Sequence, residues 1–275
     1  MSKNEVVDKL NIYKGIIDKA IVDYFKDSYK LNESLIYATD GGKRIRAILY
    51  LETISMLGRD YTKNDIQFAL AIEMIHAYSL VHDDLPQMDN DDIRRGKASV
   101  FKKFGEDIAI LTGDALLNEA ARLLFDLSIN DPSYLKASEN LLNYAGHRGM
   151  IEGQVLDLHS PEKPDKEYIF NVYEKKTSNL FMASAEAGGL VLKTDQQKQK
   201  KLSEFAKNLG YAFQIQDDLL EESYENELNI LNIMDEKSAK DLLEDINDKV
   251  KENLSYFDNN EFFMNLTDYL LKRDK

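Results

Sequence analysis

The sequence predicts an all-α protein of about ten helices in one domain that spans residues 1–275. Three observations predict this class: apolar residues recur at the helical period along most of the chain, only four prolines occur, and neither glycine nor proline follows Gly210. Hydrophobic residues make up 43% of the chain and charged residues 31%, which is ordinary for a folded protein. A single domain is expected because no linker rich in proline, glycine or serine divides the chain.

Charge, cysteine content and hydropathy exclude several classes of function. The formal net charge of −14 disfavours nonspecific binding to nucleic acid or anionic membranes, although a few basic residues could still bind a small anionic substrate. The absence of cysteine excludes disulfides, thiolate catalysis and thiolate-bound zinc. A charged N-terminal segment, and no apolar run near the roughly twenty residues of a membrane span, predict a cytoplasmic protein without a signal peptide.

The N-terminal part of the chain predicts two helices and then a basic turn. Apolar residues at helical spacing predict one helix over 4–28 and a shorter one over 30–38. The segment GGKRIRA, residues 41–47, is the densest positive charge in an acidic N-terminal half. Two glycines followed by basic residues in the first turn of a helix suit a phosphate group, or else cap the helix with surface cations.

An acidic segment at the end of the next long helix carries the first candidate site. The helix starts at Lys63 and ends at Asp83 and Asp84, because Pro86 lacks a backbone donor and disfavours helix before it. The resulting turn allows Asp89 to approach that pair. Crowded carboxylates repel one another unless a cation lies among them, and magnesium bound by oxygen ligands is a common cation in such a site. Two arginines directly after the segment suit phosphates, although an acidic loop alone is more often a solvated surface.

The middle of the chain predicts further helices with mild irregularities. A loop and then a buried helix follow the acidic segment, and Asp114 in that helix is expected to face solvent or a backbone partner. The segment GMIEGQVLDL, residues 149–158, places Gln154 and Asp157 one turn apart. Around 166–193, two helical stretches flank a Lys-Thr pair, whose simplest interpretation is a helix irregularity at the surface.

A second acidic cluster lies far downstream in YAFQIQDDLLEE, residues 211–222. Gln214, Asp217, Asp218 and Glu221 recur at spacings of three and four, so they are predicted to share one stripe of a helix. Three carboxylates without a lysine or arginine among them repel one another. The stripe is therefore a candidate for a second metal-binding face.

Five motifs in a fixed order resemble the trans-prenyl diphosphate synthases, especially the bacterial type of farnesyl diphosphate synthase. They are GGKRIRA, HDDLPQMDNDDIRRGK, GMIEGQVLDL, EKKTSNL and FQIQDDLLE. The resemblance covers about residues 37–275. It implies an all-helical fold around a deep central cavity and usually a homodimer, with isopentenyl diphosphate and an allylic diphosphate as substrates and farnesyl diphosphate as the product.

The resemblance also implies a role for sixteen residues. Six carboxylates would bind magnesium, with about three ions per site: Asp83, Asp84, Asp89, Asp217, Asp218 and Glu221. Four residues would bind isopentenyl diphosphate: Lys43, Arg46, His76 and Arg95. Arg94 would hold the allylic diphosphate. Three residues would stabilise the allylic carbocation and position its leaving group: Lys176, Thr177 and Gln214. Tyr78, with Ser79, would stop the growing chain at fifteen carbons.

Three departures from the family pattern leave alternatives open. Glu221 stands where Asp is usual, and Glu152 stands where Gly is usual. The segment after Glu221 lacks the family's loop with glycine and lysine, and that lysine ordinarily contacts the allylic diphosphate. One alternative is a non-catalytic subunit or an isoprenoid diphosphate-binding protein. Another is a terpene cyclase-like enzyme, which would have no need of a second diphosphate site at GGKRIRA.

Overall fold

The computed structural model describes residues 1, 3–26, 31–221 and 228–271, and it confirms the all-α class. The α-helices of these residues are α1 Lys3–Phe25, α2 Asn32–Thr39, α3 Ile45–Met56, α4 Lys63–Asp83, α5 Val100–Phe104, α6 Glu106–Asn130, α7 Leu135–Ala145, α8 Met150–Leu158, α9 Lys166–Val172, α10 Asn179–Val191, α11 Gln196–Leu220, α12 Glu236–Leu254 and α13 Glu261–Leu271. A π-helix, Tyr173–Ser178, joins α9 to α10, and short 3-10 helices span Pro132–Tyr134 and Ile230–Asn232.

Helix α4 begins and ends where the sequence predicts. Thr62 and Asp65 form a capping box at its start, because each side chain bonds the backbone of the other residue. The helix ends at Asp83, before Pro86, as expected from the missing donor of proline. Helix α11 differs from the prediction at its end. It stops at Leu220, so Glu221 has extended backbone and does not continue the helix stripe of the second acidic cluster.

A short β-hairpin follows the first acidic segment, where the sequence analysis expected only a loop. Strand β1, Ile93–Arg94, pairs antiparallel with β2, Lys97–Ala98. The two connecting residues, Arg95 and Gly96, have φ of 54° and 73°. Two consecutive positive φ angles are characteristic of the tight type I′ hairpin turn. The hairpin therefore fixes the directions of two adjacent arginines.

The centre of the molecule is formed by α3, α4 and α10, most of whose residues are buried. Helix α3 packs on α4 and α10, and α4 packs along α6. A helix that is apolar on most of its faces belongs in an interior. None of the helices in the described ranges has both the length and the apolarity needed to cross a bilayer. The residues 222–227, where the family's glycine- and lysine-bearing loop is missing, lie outside the described part of the chain.

Candidate active site

A central cavity of about 1010 Å³ lies among α3, α4, α6, α8, the π-helix and α11. It is lined by twelve of the sixteen residues that the sequence analysis selects: Lys43, Arg46, His76, Tyr78, Ser79, Asp83, Arg94, Arg95, Lys176, Thr177, Gln214 and Asp217. The other four are acidic and belong to the two acidic clusters. Segments more than 170 residues apart in sequence thus meet around one space.

The basic turn before α3 is built around Arg44, whose guanidinium is buried. Its Nε and Nη2 each lie 2.8 Å from Oδ1 of Asp18, and its Nη1 lies 3.1 Å from Oε2 of Glu73. A Cβ at Gly42 would lie 2.9 Å from Nη1 of Arg44 and 3.2 Å from Cζ of Arg95. Arg44 is therefore a structural cation, and the glycine gives the two guanidinium groups room.

Five other cations line the central cavity, and three of them are called here the cation seat: Lys43, Arg46 and Arg95. Burial, helped by the charge of Arg95 and partly offset by Glu73 and Asp217, lowers the pKa of Arg46 to about 10. Burial and the cations of Arg44 and Arg94 likewise lower the pKa of Arg95. The buried Nε of Arg46 has no hydrogen-bond partner within the described ranges. Crowded cations with a free donor favour an anion between them.

His76 lies beside the cation seat as a neutral imidazole. Its Nε2 is 3.3 Å from Nη1 of Arg46. A guanidinium can only donate, so Nε2 accepts and the ring proton lies on Nδ1. Burial and the charges of Arg46 and Arg95 hold the pKa of His76 well below its ordinary value. His76 therefore orients Arg46 without adding another charge.

The chain after α4 curls back as the sequence analysis predicted. The backbone N–H of Asp89 donates to the carbonyl of Asp83 at 2.9 Å, which brings the two residues together. Burial, with smaller contributions from the charges of Asp89 and Asp84 and against the opposing effect of Lys176, raises the pKa of Asp83 to about 7. Such a carboxylate gains stability from any added cation.

Asp84, the middle member of the first acidic cluster, is paired with an arginine. Its Oδ1 accepts hydrogen bonds from Nε of Arg94 at 2.8 Å and from Nη2 at 2.6 Å. Nη2 of Arg94 also lies 2.8 Å from Oδ2 of Asp91. Only 2% of the Asp84 side chain is exposed. Asp84 therefore fixes Arg94 at the cavity lining, a role that the sequence does not indicate.

The π-helix carries two of the predicted catalytic residues into the cavity. A surface irregularity was the wrong interpretation of the Lys-Thr pair, because Thr177 is only 8% exposed and Ser178 is fully buried. A Cβ at Gly153 of α8 would lie 2.4 Å from N of Lys176 and 2.8 Å from C of Lys175. The two backbones can approach this closely only because Gly153 has no side chain. π-helical turns of this kind often mark functional sites.

The wide π turn directs its two lysines to different partners. Lys175 pairs with Glu152 at 2.7 Å and donates to the carbonyl of Arg148. Lys176 lines the cavity and pairs with Asp157. Burial disfavours the charge of Lys176, but the carboxylates of Asp157 and Asp83 outweigh this penalty and raise the pKa of its ammonium. Asp157 of α8 therefore fixes the cation of Lys176 between α8 and the first acidic cluster.

The second acidic cluster is divided between the cavity and the protein interior. Asp217 lines the cavity, whereas Asp218 is buried and accepts from the Tyr173 hydroxyl and, at 2.7 Å, from the backbone N–H of Ile230. Burial raises the pKa of Asp218 to about 7. Beyond the end of α11, Glu221 accepts from Nδ2 of Asn229 at 2.7 Å. Three donors to Asp218, one of them from the cavity wall, make it a structural anchor.

The third donor to Asp218 belongs to Gln214, which connects the π-helix with α11. Thr177 donates to Oε1 of Gln214 at 2.9 Å, and Nε2 of Gln214 donates to Asp218 at 3.0 Å. The two bonds fix which end of the amide faces which neighbour. The oxygens of Thr177 and Gln214 therefore lie together at the cavity wall.

The acidic residues around the cavity fit magnesium when it is bound together with a phosphate. Over the described ranges, no group of three or more His, Asp or Glu side chains could hold a metal ion alone. Magnesium, however, usually takes one or two protein carboxylates and completes its shell with water and substrate phosphates. Asp83 with the adjacent Asp89, and Asp217 of α11, which lines the same cavity, supply oxygen donors of this kind. The raised pKa of Asp83 shows that negative charge there lacks full compensation.

Three further side chains of the site received no role in the sequence analysis. Asp157 holds Lys176, and both polar side-chain atoms of Gln154 are buried at the cavity lining without a hydrogen-bond partner among the described residues. The sequence feature that could have revealed Gln154 and Asp157 is their spacing of one helical turn in GMIEGQVLDL. His82 also lines the cavity. The sequence feature that could have indicated a side chain packed at this point is Gly113, an isolated glycine inside the long helix α6.

Comparison with known proteins gives matches along most of the chain. The family model of polyprenyl synthetases matches residues 28–249. Farnesyl diphosphate synthase of Geobacillus stearothermophilus is 40% identical over 232 residues, which cover 80% of this chain and 77% of that protein. Geranylgeranyl pyrophosphate synthase 4 of Arabidopsis thaliana is 31% identical over 99% of this chain and 78% of that protein. The crystal structure of an FPP/GFPP synthase from Zymomonas mobilis superposes with a TM-score of 0.90 and 29% identity, and covers 97% of this chain and 99% of that chain.

The all-helical fold and the cavity lined by clustered cations and carboxylates define a prenyltransferase of the isoprenoid synthase type. The chain belongs to the polyprenyl synthetase family, and its relatives include farnesyl and geranylgeranyl diphosphate synthases.

Proposed function

We propose that this prenyltransferase condenses isopentenyl diphosphate with dimethylallyl or geranyl diphosphate to form farnesyl diphosphate. The observation that carries the proposal is the composition of one cavity. Its lining contains the cation seat, carboxylates with a buried lysine, and apolar side chains such as Leu117 and Phe213. Two diphosphates and a hydrocarbon tail need these three environments.

The cation seat is the proposed site of isopentenyl diphosphate. Lys43, Arg46 and Arg95 present positive charge to the cavity, and burial with neighbouring arginines lowers the pKa of Arg46 and Arg95, although Glu73 offsets part of this effect. Guanidinium groups bind phosphate oxygens through two parallel hydrogen bonds. His76 keeps Arg46 in place from the neighbouring helix.

The allylic diphosphate is proposed to lie at the acidic wall with magnesium, of which the family resemblance implies about three ions. Asp83 and Asp89 would hold the metal on one side and Asp217 on the other, with Arg94 and Lys176 as further contacts for the diphosphate. Asp84, Asp218 and Glu221, also predicted as ligands, would act mainly by holding Arg94, Gln214 and the end of α11. Bound magnesium neutralises the leaving diphosphate and so eases cleavage of the carbon–oxygen bond.

Cleavage of that bond leaves diphosphate and an allylic carbocation, which Thr177 and Gln214 are positioned to stabilise. Their oxygens lie together at the cavity wall and present partial negative charge. The double bond of isopentenyl diphosphate attacks the cation and forms a carbon–carbon bond. Loss of a proton to the departing diphosphate then forms a new double bond and gives an allylic diphosphate that is five carbons longer. The apolar cavity keeps water from capturing the cation.

The length of the product is proposed to be set by Tyr78 together with Ser79. Tyr78 precedes Asp83 by five residues on α4, lines the cavity and is 6% exposed. Burial raises the pKa of Tyr78 to about 12, so the ring is neutral. A neutral aromatic ring about one and a half turns below the acidic cluster would stop a chain of fifteen carbons.

A second copy of the chain is the proposed partner, in a cytoplasmic homodimer. Helix α6 exposes Leu111, Phe125 and Ile129, which are 50%, 66% and 74% accessible. At 3.6 residues per turn these side chains share one helix face. Exposed apolar side chains at both ends of this face, with the polar residues Asp114, Asn118 and Arg122 between them, suit a self-complementary interface.

A product assay on the purified protein tests the catalytic proposal. The protein is incubated with magnesium, isopentenyl diphosphate and geranyl diphosphate, and the products are sized by chromatography. A fifteen-carbon product that disappears in Asp83→Ala supports the synthase. A folded protein that makes no product but binds a bisphosphonate with magnesium would instead indicate the non-catalytic alternative. Release of a hydrocarbon without condensation would indicate a cyclase-like enzyme.

A further inference from the structure

Helices α4 and α6 meet along one wall of the central cavity, and the side chain of His82 lies at their contact. His82 follows Tyr78 by one helical turn on α4, and both side chains line the cavity together with Leu117 of α6. The two rings contact edge to face, with centroids 6.0 Å apart and an interplanar angle of 75°. This is a favourable geometry for paired rings. The imidazole is therefore a direct neighbour of the proposed length-limiting tyrosine.

The imidazole of His82 fits at this contact because residue 113 of α6 has no side chain. A Cβ at Gly113 would lie 2.1 Å from Nε2, 2.4 Å from Cδ2 and 2.7 Å from Cε1 of the imidazole. Nε2 also lies 3.2 Å from the carbonyl oxygen of Ile110, to which the ring can donate. The imidazole of His82 thus lies in a notch of α6, and the ring of Tyr78 packs against it from α4.

We propose that His82, seated in the Gly113 notch, is a specificity-determining residue that closes the cavity beside Tyr78 and limits the length of the prenyl product. The inference rests on the proposed prenyltransferase reaction and deepens it. The imidazole lies between the Tyr78 ring and Gly113 of α6. On this proposal, a longer tail passes toward Leu117 only when the imidazole is removed.

Removal of the imidazole is the first test. In His82→Ala the space between Tyr78 and Gly113 opens, so the ratio of twenty-carbon to fifteen-carbon product should rise by about tenfold, as is typical when a pocket gains a few carbon atoms of room. His82→Gln retains an N–H donor for the Ile110 carbonyl and most of the volume, and it should return the ratio toward that of the wild type. A role in folding alone would not move the product ratio.

The role of the Gly113 notch is tested by comparing Gly113→Ala in the wild type with the same substitution in His82→Ala. Gly113→Ala should force the imidazole out of its seat and toward the cavity that it already lines. With dimethylallyl diphosphate as the starter, this change should lower the share of fifteen-carbon relative to ten-carbon product. In the His82→Ala background the same change meets no imidazole, so its effect on product length should disappear. Gly15→Ala is the matched control, since a Cβ at Gly15 has nothing within 4 Å.

Binding of unreactive substrate analogues separates this proposal from the proposed function. The affinities of geranyl, farnesyl and geranylgeranyl thiolodiphosphates are measured by calorimetry for the wild type and His82→Ala. Relaxed preference for tail length in His82→Ala supports the proposal even if the wild type shows no turnover, in which case only the proposed function fails. Unchanged product ratios and unchanged affinity ratios in His82→Ala overturn the proposal, although an active wild type would leave the synthase reaction intact.

Discussion

Lys176 shows how one side chain can serve both charge balance and chemistry. It is the cation nearest to the first acidic cluster from the π-helix, and Asp157 holds it there. Its neighbour Lys175 has equal charge but pairs with Glu152 away from the cavity lining. The two adjacent lysines therefore have the same charge, but only Lys176 lines the cavity.

Substitution of Lys176 is expected to reduce catalysis without unfolding the protein. Lys176→Gln removes a positive charge from the place where the leaving group would develop negative charge, so the turnover number should fall by about a hundredfold or more. Lys175→Gln is the matched control, because a partly exposed ion pair contributes only about 0–1 kcal/mol to stability. Initial rates with saturating substrates, together with circular dichroism, measure both effects. Equal losses in the two variants would contradict the role of Lys176.

His76 predicts a dependence of stability on pH. Its folded pKa lies well below the ordinary value because of burial and four nearby arginines. Below about pH 6.5 the unfolded chain therefore binds a proton that the folded protein does not bind, so stability is present above that pH and is lost as pH falls. This loss has a limit of about 1.4 kcal/mol per pH unit for one group.

His76→Gln tests this dependence, because glutamine can still accept a hydrogen bond from Arg46 but does not titrate. The free energy of unfolding is measured in urea at several pH values between about 7.5 and 5.5, on either side of the ordinary histidine pKa. The variant should gain stability relative to the wild type as pH falls. A constant difference across the range would show that His76 is not held neutral.

At the scale of elements, the contact between α8 and the π-helix positions the residues around Lys176 and Thr177. Gly153 allows the two backbones to touch, and Ser178 lies equally close to Gly210 of α11, where a Cβ would be 2.5 Å from its Oγ. The π-helix is therefore packed between two glycines on two helices. Small displacements of this element would move Thr177 away from Gln214.

Gly153→Ala should disturb this packing more than its size suggests. The added methyl overlaps backbone atoms of Lys175 and Lys176, which cannot rotate away, so about 1–3 kcal/mol of stability should be lost. Turnover should fall by about tenfold, since misplacement by roughly 1 Å costs that much or more. Gly15→Ala serves as the control and should instead stabilise α1 slightly. An active Gly153→Ala variant of unchanged stability would contradict the close contact.

The elements also show which parts of the structure the sequence could predict. Helix α4 was predictable to its last residue, because Pro86 acts locally on the backbone. The all-α class followed from periodicity along the chain, and the motifs identified most of the cavity lining. The π-helix was not predictable, since its extra residue is stabilised by the packing of Gly153 and Gly210 from other helices. The hairpin at Arg95 was missed because a two-residue strand has no periodicity to detect.

The division of the carboxylates was unpredictable for a related reason. Asp217 and Asp218 are identical and adjacent in sequence, yet one lines the cavity and the other accepts from Tyr173 and Ile230. Nothing in the spacing of the motif distinguishes them. Which carboxylate lines the cavity depends on residues that contact them only in the folded chain. The spacing of the motif therefore predicts the acidic cluster but not the role of each carboxylate in it.

At the scale of the whole molecule, net charge opposes the proposed association of two chains. Each chain carries −14, so a pair carries twice that, or −28. Exposed charges interact over about 8–10 Å at moderate ionic strength and over longer distances in dilute buffer. An apolar contact must therefore supply the affinity. The α6 face with Leu111, Phe125 and Ile129 is the proposed source of that affinity.

A charge placed in that face should therefore dissociate the dimer. The wild type is expected to sediment at twice the chain mass of 31.6 kDa, with more monomer in dilute buffer than at moderate salt. Phe125→Arg buries an unpaired cation in the interface, a change that commonly costs several kcal/mol of association free energy, so this variant should sediment as a monomer. Ile12→Arg is the control, since Ile12 is 62% exposed on the separate helix α1. A dimer that survives Phe125→Arg but dissociates with Ile12→Arg would assign the interface to α1, and a wild type that is monomeric at every salt concentration would contradict the proposed homodimer itself.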